Sequence, residues 1–332
     1  MNRGMKQPSR LATAEEIQTA RENLEGWVDP APLILMQTEG FDGEIYLKLE
    51  NLQPIGSYKA RPIGNVIRSL SDEEQNRGVF TASSGNAGIG VAWAAFRLGL
   101  SVDVVVPDNA PQAKLDILTR LGAAIHVVTP ERWWEVIKSQ SFEGTDKRFV
   151  DAVADQAAIA GNAIIGMEII EQVPDADTIL VPFGGGGLTC GIGSALKAAG
   201  HAASLVACES EMATPLTAAL AAGKPVAVNQ TKGFISGIGS ESVLPWMWPV
   251  MQQIVDDTCV VSLRQAANAV VRLVQQHHVI AEGAGAVSVA AALKRKMGGL
   301  DGAAKVVCVV SGGNIDRDDL IGILDGSFFH VS

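Results

Sequence analysis

Short apolar runs alternate along the chain with longer segments whose apolar residues recur at helical spacing. The apolar runs predict buried strands at 44–49, 78–82, 101–106, 124–128, 178–182, 204–208 and 305–310. Helices are predicted between them at 87–98, 112–121 and 188–199, and the Thr13-Ala-Glu-Glu stretch predicts a capped helix that ends near Leu24. Such alternation favours an α/β fold with doubly wound sheets, where ligands bind at the carboxyl ends of strands.

The segment 131–145, which contains Trp133, Trp134 and Gly144, shows the least regular pattern in the chain. We interpret it as a loop or hinge. Because 332 residues suffice for two domains of ordinary size, two α/β domains that share one cleft are expected.

Composition and charge narrow the class of protein. Hydrophobic residues make up 47% of the chain and charged residues 19%, with 35 glycines, as in compact α/β enzymes. A net charge of −10 disfavours a nucleic-acid partner. Residues 1–16 lack the apolar core of a signal peptide, and no apolar stretch is long enough for a membrane span. The four cysteines form no CxxC pair. We expect a cytoplasmic protein without a membrane partner.

Three predicted strands end in small polar or glycine-rich loops: SSGN at 83–86, GGGG at 184–187 and SGGN at 311–314. The first two loops open a predicted helix, whose free N–H groups and partial positive charge bind anions. Glycines that only turn the chain are the simpler interpretation of any one loop. Four consecutive glycines at a strand–helix junction favour a phosphate site, yet no GK[ST] follows them and no GxGxxG follows the first strand. Pyridoxal 5'-phosphate, which condenses with a lysine amine, remains as a candidate cofactor.

The stretch LKLENLQPIGSYKAR at 47–61 resembles the lysine motif of fold-type II pyridoxal-phosphate enzymes, in particular the serine/threonine dehydratase and serine racemase family. SSGN, VPFGGGGL at 181–188 and VVSGGNID at 309–316 follow in that family's order, and the similarity extends over about 31–316. The cysteine-synthase and tryptophan-synthase branches have other sequences around the lysine.

The resemblance implies the tryptophan synthase β-like fold, with two doubly wound α/β domains and the active site in the cleft between them. A large cofactor-binding domain is expected over 1–70 and 150–332. A smaller, mobile substrate-binding domain is expected over 71–149. The family likeness also implies a homodimer.

The resemblance further assigns roles to residues of this sequence. It implies that Lys59 carries pyridoxal 5'-phosphate as a Schiff base and that Ser311 faces the pyridine nitrogen. Asn86 is expected to hydrogen-bond the phenolic oxygen of the cofactor, and Gly237 to lie near the ring. The phosphate is assigned to Gly184, Gly185, Gly186, Gly187 and Leu188, and the substrate carboxylate to Ser83, Ser84, Asn86 and Ala87.

The expected reaction is dehydration and deamination of a small L-3-hydroxy amino acid, such as threonine, serine or a bulkier analogue, to a 2-keto acid and ammonia. Ser84 keeps a second interpretation open, because the resemblance gives a serine there the role of returning a proton to Cα in racemases. A β-replacement enzyme is ranked lower because the cysteine-synthase and tryptophan-synthase branches lack the SGGN ending. A non-catalytic cofactor carrier is ranked lower because Lys59 and both anion loops are present.

Several positions depart from the family pattern. Ala87 stands where histidine is usual, Tyr58 replaces the commoner phenylalanine, and Pro62 replaces a glycine. Relatives that bind a divalent cation use a glutamate, matched by Glu209, and a second carboxylate at the position of Pro215. Because proline offers no hard oxygen ligand from its side chain, we expect no metal ion.

Overall fold

Ten strands form two separate sheets in the computed structural model, which describes residues 9–38, 43–296 and 304–329. In chain order the strands are β1 (Leu33–Leu35), β2 (Glu44–Lys48), β3 (Val79–Ala82), β4 (Val102–Pro107), β5 (Ala124–Val128), β6 (Arg148–Phe149), β7 (Thr178–Pro182), β8 (Ser204–Ser210), β9 (Asp257–Val261) and β10 (Lys305–Val309). The first half of the 1–16 stretch, residues 1–8, lies outside the described residues.

Thirteen α-helices in the described ranges connect or cover these strands. They are α1 (Ala14–Leu24), α2 (Ala60–Arg68), α3 (Asp72–Arg77), α4 (Asn86–Leu98), α5 (Gln112–Arg120), α6 (Pro130–Ser139), α7 (Gln156–Gln172), α8 (Gly187–Ala199), α9 (Pro215–Ala222), α10 (Trp248–Ile254), α11 (Leu263–His277), α12 (Gly283–Lys296) and α13 (Arg317–Leu324). Within the described ranges, no helix is long and apolar enough to cross a membrane.

The larger sheet has the strand order β1-β2-β10-β7-β8-β9. All its strand pairs are parallel except β1 with β2, where Leu33 lies opposite Lys48. The last strand in sequence, β10, therefore lies between β2 and β7, in the interior of the sheet. This order brings the carboxyl ends of β2, β7 and β10, and the three motifs that follow them, to one edge.

The smaller sheet has the order β5-β4-β3-β6 and is parallel throughout. All four strands fall within 71–149, the segment expected to form the small domain. The central strand β3 is buried at all four positions, which explains its continuous apolar sequence. Its carboxyl end leads directly into the SSGN loop and α4.

The structure confirms the predicted strands and helices, with bounds that differ by one or two residues. Thr13 caps α1 as predicted: its hydroxyl accepts from the Glu16 amide at 3.2 Å, and the Glu16 carboxylate accepts from the Thr13 amide at 2.9 Å. The two doubly wound α/β sheets of the fold prediction are likewise observed.

The prediction of a loop or hinge over 131–145 is wrong for its first part, which lies in α6. Thr129 caps this helix by accepting from the Arg132 amide at 3.3 Å, and Pro130 occupies its first position, where a missing N–H costs nothing. Val136 is fully buried against Phe80 and Val105 of the smaller sheet. The adjacent tryptophans hid the helical period, since Trp133 is half-buried and Trp134 is 51% exposed.

The central helix α7 was not predicted. Positions 158–166 of this helix are all buried, as are Glu168 and Ile169, because the helix packs against α8, α2 and α1. A helix that is apolar all round has no amphipathic period, which is the signal that sequence reasoning relies on.

Candidate active site

A cavity of about 420 Å³ lies where segments of the two sheets face each other. The smaller-sheet side contributes the SSGN loop, Lys114 of α5 and Trp133 of α6. All the residues to which sequence analysis assigned a role line this one cavity: Lys59, Ser83, Ser84, Asn86, Ala87, Gly184, Gly185, Gly186, Gly187, Leu188, Gly237 and Ser311. The fold thus brings together residues that are far apart in the sequence.

Lys59 lies at the start of α2, and its side chain reaches into the cavity. Its Nζ donates to the Ala152 carbonyl at 3.2 Å and lies 4.9 Å from the centre of the Tyr58 ring. A carbonyl and an aromatic face hold an ammonium or amine loosely, without a carboxylate partner. The amine is therefore available to a reacting group in the cavity.

A buried group of charges fixes the start of the same helix. The Arg61 guanidinium forms paired hydrogen bonds with Glu50, at 2.8 and 3.0 Å, and with Glu168, at 2.7 and 3.0 Å. Lys48 completes it by donating to Glu168 at 2.5 Å and to Gln172 at 2.8 Å. We call Arg61, Glu50, Glu168 and Lys48 the arginine cluster. Burial alone would lower the pKa of Arg61, but the two carboxylates raise it, so the side chain stays charged.

The GGGG loop joins β7 to α8 and presents the start of this helix to the cavity. Gly186 adopts a φ of +92°, a conformation that favours glycine, and it forms the N-cap of α8 without a side-chain hydrogen bond. The first turn carries no acidic residue. The N–H groups of the first turn, together with the positive end of the helix dipole, therefore face the cavity without a competing anion.

A second helix start faces the same cavity. Gly85 forms the N-cap of α4 without a side-chain cap, and the first turn again lacks an acidic residue. Ser83 uses its hydroxyl to accept from the Gly85 amide at 3.2 Å, which tightens the loop. Among the described residues the Ser84 hydroxyl makes no hydrogen bond. Two separate anion-binding positions are thus present, one on each side of the cavity.

Asn86 is held by two residues that sequence analysis did not single out, Glu282 and Asn314. Its Nδ2 donates to Glu282 Oε1 at 2.8 Å, and its Oδ1 accepts from Asn314 Nδ2 at 2.8 Å. Asn314 Nδ2 also donates to the Ile55 carbonyl at 2.8 Å. We call this chain of hydrogen bonds, from the Ile55 carbonyl to Glu282, the asparagine relay. Asn314 was within reach of sequence analysis as the last residue of SGGN. Glu282 opens the stretch EGAGAVSVAAAL, which also resembles the family, but that resemblance gave it no role.

Glu282 is 8% exposed, and burial raises its pKa to about 7. The hydrogen bond from Asn86 and the charge of Lys114 oppose this effect, and Asp316 adds to it. A carboxyl group that titrates near neutral pH inside a cavity marks a functional candidate.

Ser311 and Gly237 complete the lining. Ser311 is 5% exposed, and its carbonyl accepts from the Tyr58 amide at 3.0 Å, which ties the SGGN loop to the lysine loop. Gly237 has a φ of +87° and lies close to the GGGG loop. A Cβ built on Gly184 would lie only 2.9 Å from the carbonyl oxygen of Gly237. The two loops are packed backbone against backbone at this point.

The departures from the family pattern have different structural contexts. Pro62 is the third residue of α2, where its missing N–H removes no intrahelical hydrogen bond. Ala87 lines the cavity with a single methyl group, so the wall is open where a histidine would project. Tyr58 contributes the ring beside Lys59.

Both carboxylate oxygens of Glu209 accept hydrogen bonds from within the protein. It is 1% exposed and accepts from the Leu216 amide at 2.7 Å, from the Thr217 amide at 2.9 Å and from the Thr217 hydroxyl at 2.6 Å. It therefore caps the start of α9, and burial raises its pKa. Across the described ranges no three His, Cys, Asp or Glu side chains converge as a metal site.

The family model for pyridoxal-phosphate dependent enzymes matches residues 24–312 of the chain. The chain belongs to this family. The enzyme is 36% identical over 314 residues to the L-threonine ammonia-lyase of Thermotoga maritima, a match that covers 92% of this chain and 76% of the relative. It is 34% identical over 283 residues to the L-threonine dehydratase catabolic TdcB of Escherichia coli K12, covering 84% and 85% of the two chains.

Solved structures show the same fold. Maize serine racemase superposes on the enzyme with a TM-score of 0.85 at 30% identity, covering 97% of this chain and 99% of that one. The serine racemase of Dictyostelium discoideum gives a TM-score of 0.84 at 29% identity, covering 92% and 99%. The fold-type II architecture predicted from the lysine motif is confirmed.

The residues present fit pyridoxal 5'-phosphate, the cofactor of the family. The cofactor needs a lysine amine, a phosphate site and room for its ring. Lys59 supplies an amine that has no acidic partner among the described residues, and the uncapped start of α8 supplies N–H groups for a dianion. Ser311 and Gly237 line the space between these two positions.

Proposed function

We propose that the enzyme dehydrates and deaminates a small L-3-hydroxy amino acid, with threonine and serine as the first candidates, to a 2-keto acid and ammonia. The observation that carries the proposal is a single cavity that holds the Lys59 amine between two uncapped helix starts. One helix start suits the cofactor phosphate, and the other suits the substrate carboxylate. The names of the relatives, threonine ammonia-lyase and threonine dehydratase, support the lyase activity.

In this proposal the start of α4 binds the substrate carboxylate through Ser83, Ser84, Asn86 and the Ala87 amide. Bound pyridoxal 5'-phosphate withdraws electron density from Cα of the amino acid and so acidifies the Cα proton. The Lys59 amine takes that proton from Cα. The β-hydroxyl would then leave as water with the proton that Lys59 took from Cα. The released enamine would tautomerise to an imine, and hydrolysis of its C=N bond by one water gives ammonia and the keto acid.

Ser311 bears on the type of reaction. If Ser311 faces the pyridine nitrogen, as the resemblance implies, it would bring no charge to that nitrogen and would not hold a proton there as a carboxylate would. Electron withdrawal is then modest, which suits elimination, because the leaving hydroxyl removes the developing charge at once. Transamination, which needs a longer-lived carbanion, is disfavoured.

The proposal is tested by the absorbance of the protein supplied with pyridoxal 5'-phosphate and by keto acid release. The wild type is expected to show a visible cofactor band and to form keto acid from one or more L-3-hydroxy amino acids. Lys59→Ala is expected to lose the band and the activity. Lys305→Ala, which removes a partly exposed lysine paired with Asp175 at 2.6 Å, is the control and should retain both. A wild type without the band contradicts the proposal.

Amino-acid racemisation is the second candidate, because the Ser84 hydroxyl lines the cavity and makes no hydrogen bond among the described residues. The likeness to maize serine racemase supports it. Chiral chromatography of L-serine incubated with the enzyme distinguishes the two. Formation of D-serine that is lost in Ser84→Ala, while keto acid release persists, assigns both activities to the site.

We further propose that 71–149 acts as a mobile substrate-binding domain that closes the cavity from the side of α4. Support comes from the cavity itself, since Ser83, Ser84, Lys114 and Trp133 all belong to this segment. Hydrogen exchange with and without substrate tests the idea. Protection gained across the α4 start and α6, but not across β7 and α8, is the expected result, and unchanged exchange contradicts it.

A homodimer located in the cytoplasm is proposed for the assembled enzyme. The four cysteines are buried, and none of them forms a disulfide within the described residues, as suits a reducing compartment. Light scattering should give about twice the chain mass of 34.8 kDa. A mass equal to one chain at micromolar concentration contradicts the dimer.

A further inference from the structure

We propose that Glu282 is a positioning residue that, together with Asn314, holds the carboxamide of Asn86 with its amino group directed for donation into the cavity. The proposal deepens the proposed function and rests on it, because it takes Asn86 to contact the bound cofactor. Glu282 itself acts through Asn86 and has no role in proton transfer at Cα.

The asparagine relay fixes the orientation of each amide in turn. A backbone carbonyl only accepts hydrogen bonds, so the Ile55 carbonyl requires the amino group of Asn314. That amino group also donates to Asn86, whose oxygen must therefore face Asn314. The amino group of Asn86 is left to face Glu282. Because Nδ2 carries two hydrogens, one binds Glu282 and the second remains for a partner in the cavity.

The lack of a side chain at Gly312 leaves space for the Glu282 carboxyl next to Asn86. A Cβ on Gly312 would lie 2.3 Å from Glu282 Oε1 and 3.3 Å from Asn86 Nδ2, so no other residue fits at this position without displacing both. The Glu282 amide donates to the Gly312 carbonyl at 3.0 Å. The carboxyl is thereby held between the SGGN loop and the start of α4.

Burial is the main cause that raises the pKa of Glu282 to about 7, and the hydrogen bond from Asn86 and two nearby charges modify it. Lys114 on α5 lowers the pKa of the carboxyl, and Asp316, just before α13, raises it. The start of α4 and the SGGN loop present only the neutral Asn86 and Gly312. Lys114 and Asp316 also pair with each other, with 3.7 Å between Nζ and Oδ1, which weakens the effect of each on Glu282.

Protonation of Glu282 would therefore change how Asn86 donates. An ionised carboxylate accepts a stronger hydrogen bond than a neutral acid does, and it polarises the amide that donates to it. Asn86 then holds its second hydrogen in a fixed direction. A neutral Glu282 releases part of this restraint. A cofactor in contact with Asn86 reports the change in its absorbance.

The test compares Glu282→Gln with the wild type in the holoenzyme, reading the visible cofactor spectrum from about pH 5 to about pH 9. The glutamine keeps an oxygen to accept from Asn86 but does not titrate. The wild-type spectrum is expected to change with a midpoint close to neutral pH, and the variant spectrum to stay constant. In Glu282→Ala, kcat should fall at least about tenfold with KM within about twofold, since only Asn86 orientation is lost.

Glu209→Gln is the matched control, because Glu209 is also buried and burial also raises its pKa, yet it lies outside the cavity lining. Its spectrum should titrate as the wild type does. A Glu282→Gln spectrum that titrates like the wild type, or a Glu282→Ala variant with unchanged kcat, overturns the inference. A wild type that shows no cofactor band overturns the proposed function instead.

Discussion

The arginine cluster and the asparagine relay are both buried polar groups beside the cavity, but their charges are balanced in different ways. The arginine cluster contains two cations and two carboxylates, with Arg61 1% exposed and every charge hydrogen-bonded to an opposite one. The relay contains one carboxyl, Glu282, whose hydrogen-bond partner Asn86 is neutral. Every charge in the first group is matched by an opposite one. In the second, burial raises the pKa of the single carboxyl to about 7.

The difference follows from what each group adjoins. The arginine cluster joins α2, the 3-10 helix at Glu50–Leu52 and α7, and thus anchors the helix that begins with Lys59. Anchoring needs complete compensation, since an unpaired buried charge is costly. The relay instead connects residues from both sides of the cavity. At this place a carboxyl whose protonation can change, that of Glu282, is useful. Mutations in the arginine cluster should therefore mainly lower the free energy of unfolding, whereas mutations in the relay should mainly change activity and pH dependence.

The largest expected effect comes from Arg61→Ala, which leaves Glu50 and Glu168 buried without their common partner. We expect a loss of about 3–5 kcal/mol in the free energy of unfolding. Arg21→Ala is the control, because Arg21 pairs with Glu171 of α7 at 2.7 Å but with both side chains about half exposed. It should cost less than about 1 kcal/mol. Urea unfolding with saturating cofactor measures the free energy of unfolding of both variants. Equal losses would contradict the role of Arg61 as the common buried partner of Glu50 and Glu168.

The second effect concerns the pH dependence of stability. The pKa of Glu282 is raised from its ordinary 4.5 to about 7 in the folded protein, so the folded state binds the proton more tightly than the unfolded state. The resulting stabilisation is complete below pH 4.5 and is lost as the pH rises to about 7. Its upper bound is about 3 kcal/mol. Urea unfolding across this range should show a larger loss in the wild type than in Glu282→Gln, and parallel curves would contradict the expectation.

A smaller effect is expected from Gly312→Ala, whose methyl group would displace the Glu282 carboxyl. Overpacking of this kind costs about 1–3 kcal/mol, and kcat should fall about tenfold as Asn86 loses its partner. Gly322→Ala in α13 is the matched control. Its nearest neighbour would be Phe328 Cβ at 3.5 Å, an ordinary contact, so stability should be unchanged or rise by up to about 1 kcal/mol. Similar kcat values in the two variants would exclude a role for Gly312.

The smallest effects come from the two charges near Glu282. Lys114→Met should raise the pKa of Glu282, and Asp316→Asn should lower it, each by less than about one pH unit because water screens both groups. The midpoint of the spectral titration measures both shifts. Shifts in the same direction would show that these charges do not act on Glu282 as described.

Sequence reasoning was most successful where local patterns carry the information. The apolar strands, the capping box at Thr13 and the glycine-rich strand ends are all visible over a few residues, and the lysine motif identified the family. The helix α7 escaped because burial on all faces removes its period. Glu282 escaped because a glutamate before α12 looks like any polar residue ahead of a helix, and only the fold brings it to Asn86.

The asparagine relay begins at a main-chain oxygen, that of Ile55, and this origin affects how the site tolerates change over evolution. No substitution of a side chain can delete a backbone carbonyl. The direction of hydrogen-bond donation along the relay is therefore set by the backbone path of the lysine loop. Position 55 is free to accept other apolar residues, provided the loop keeps its course. Substitutions at positions 86, 282 and 314 instead act on the relay directly, since each of these side chains is oriented by a hydrogen bond to its neighbour.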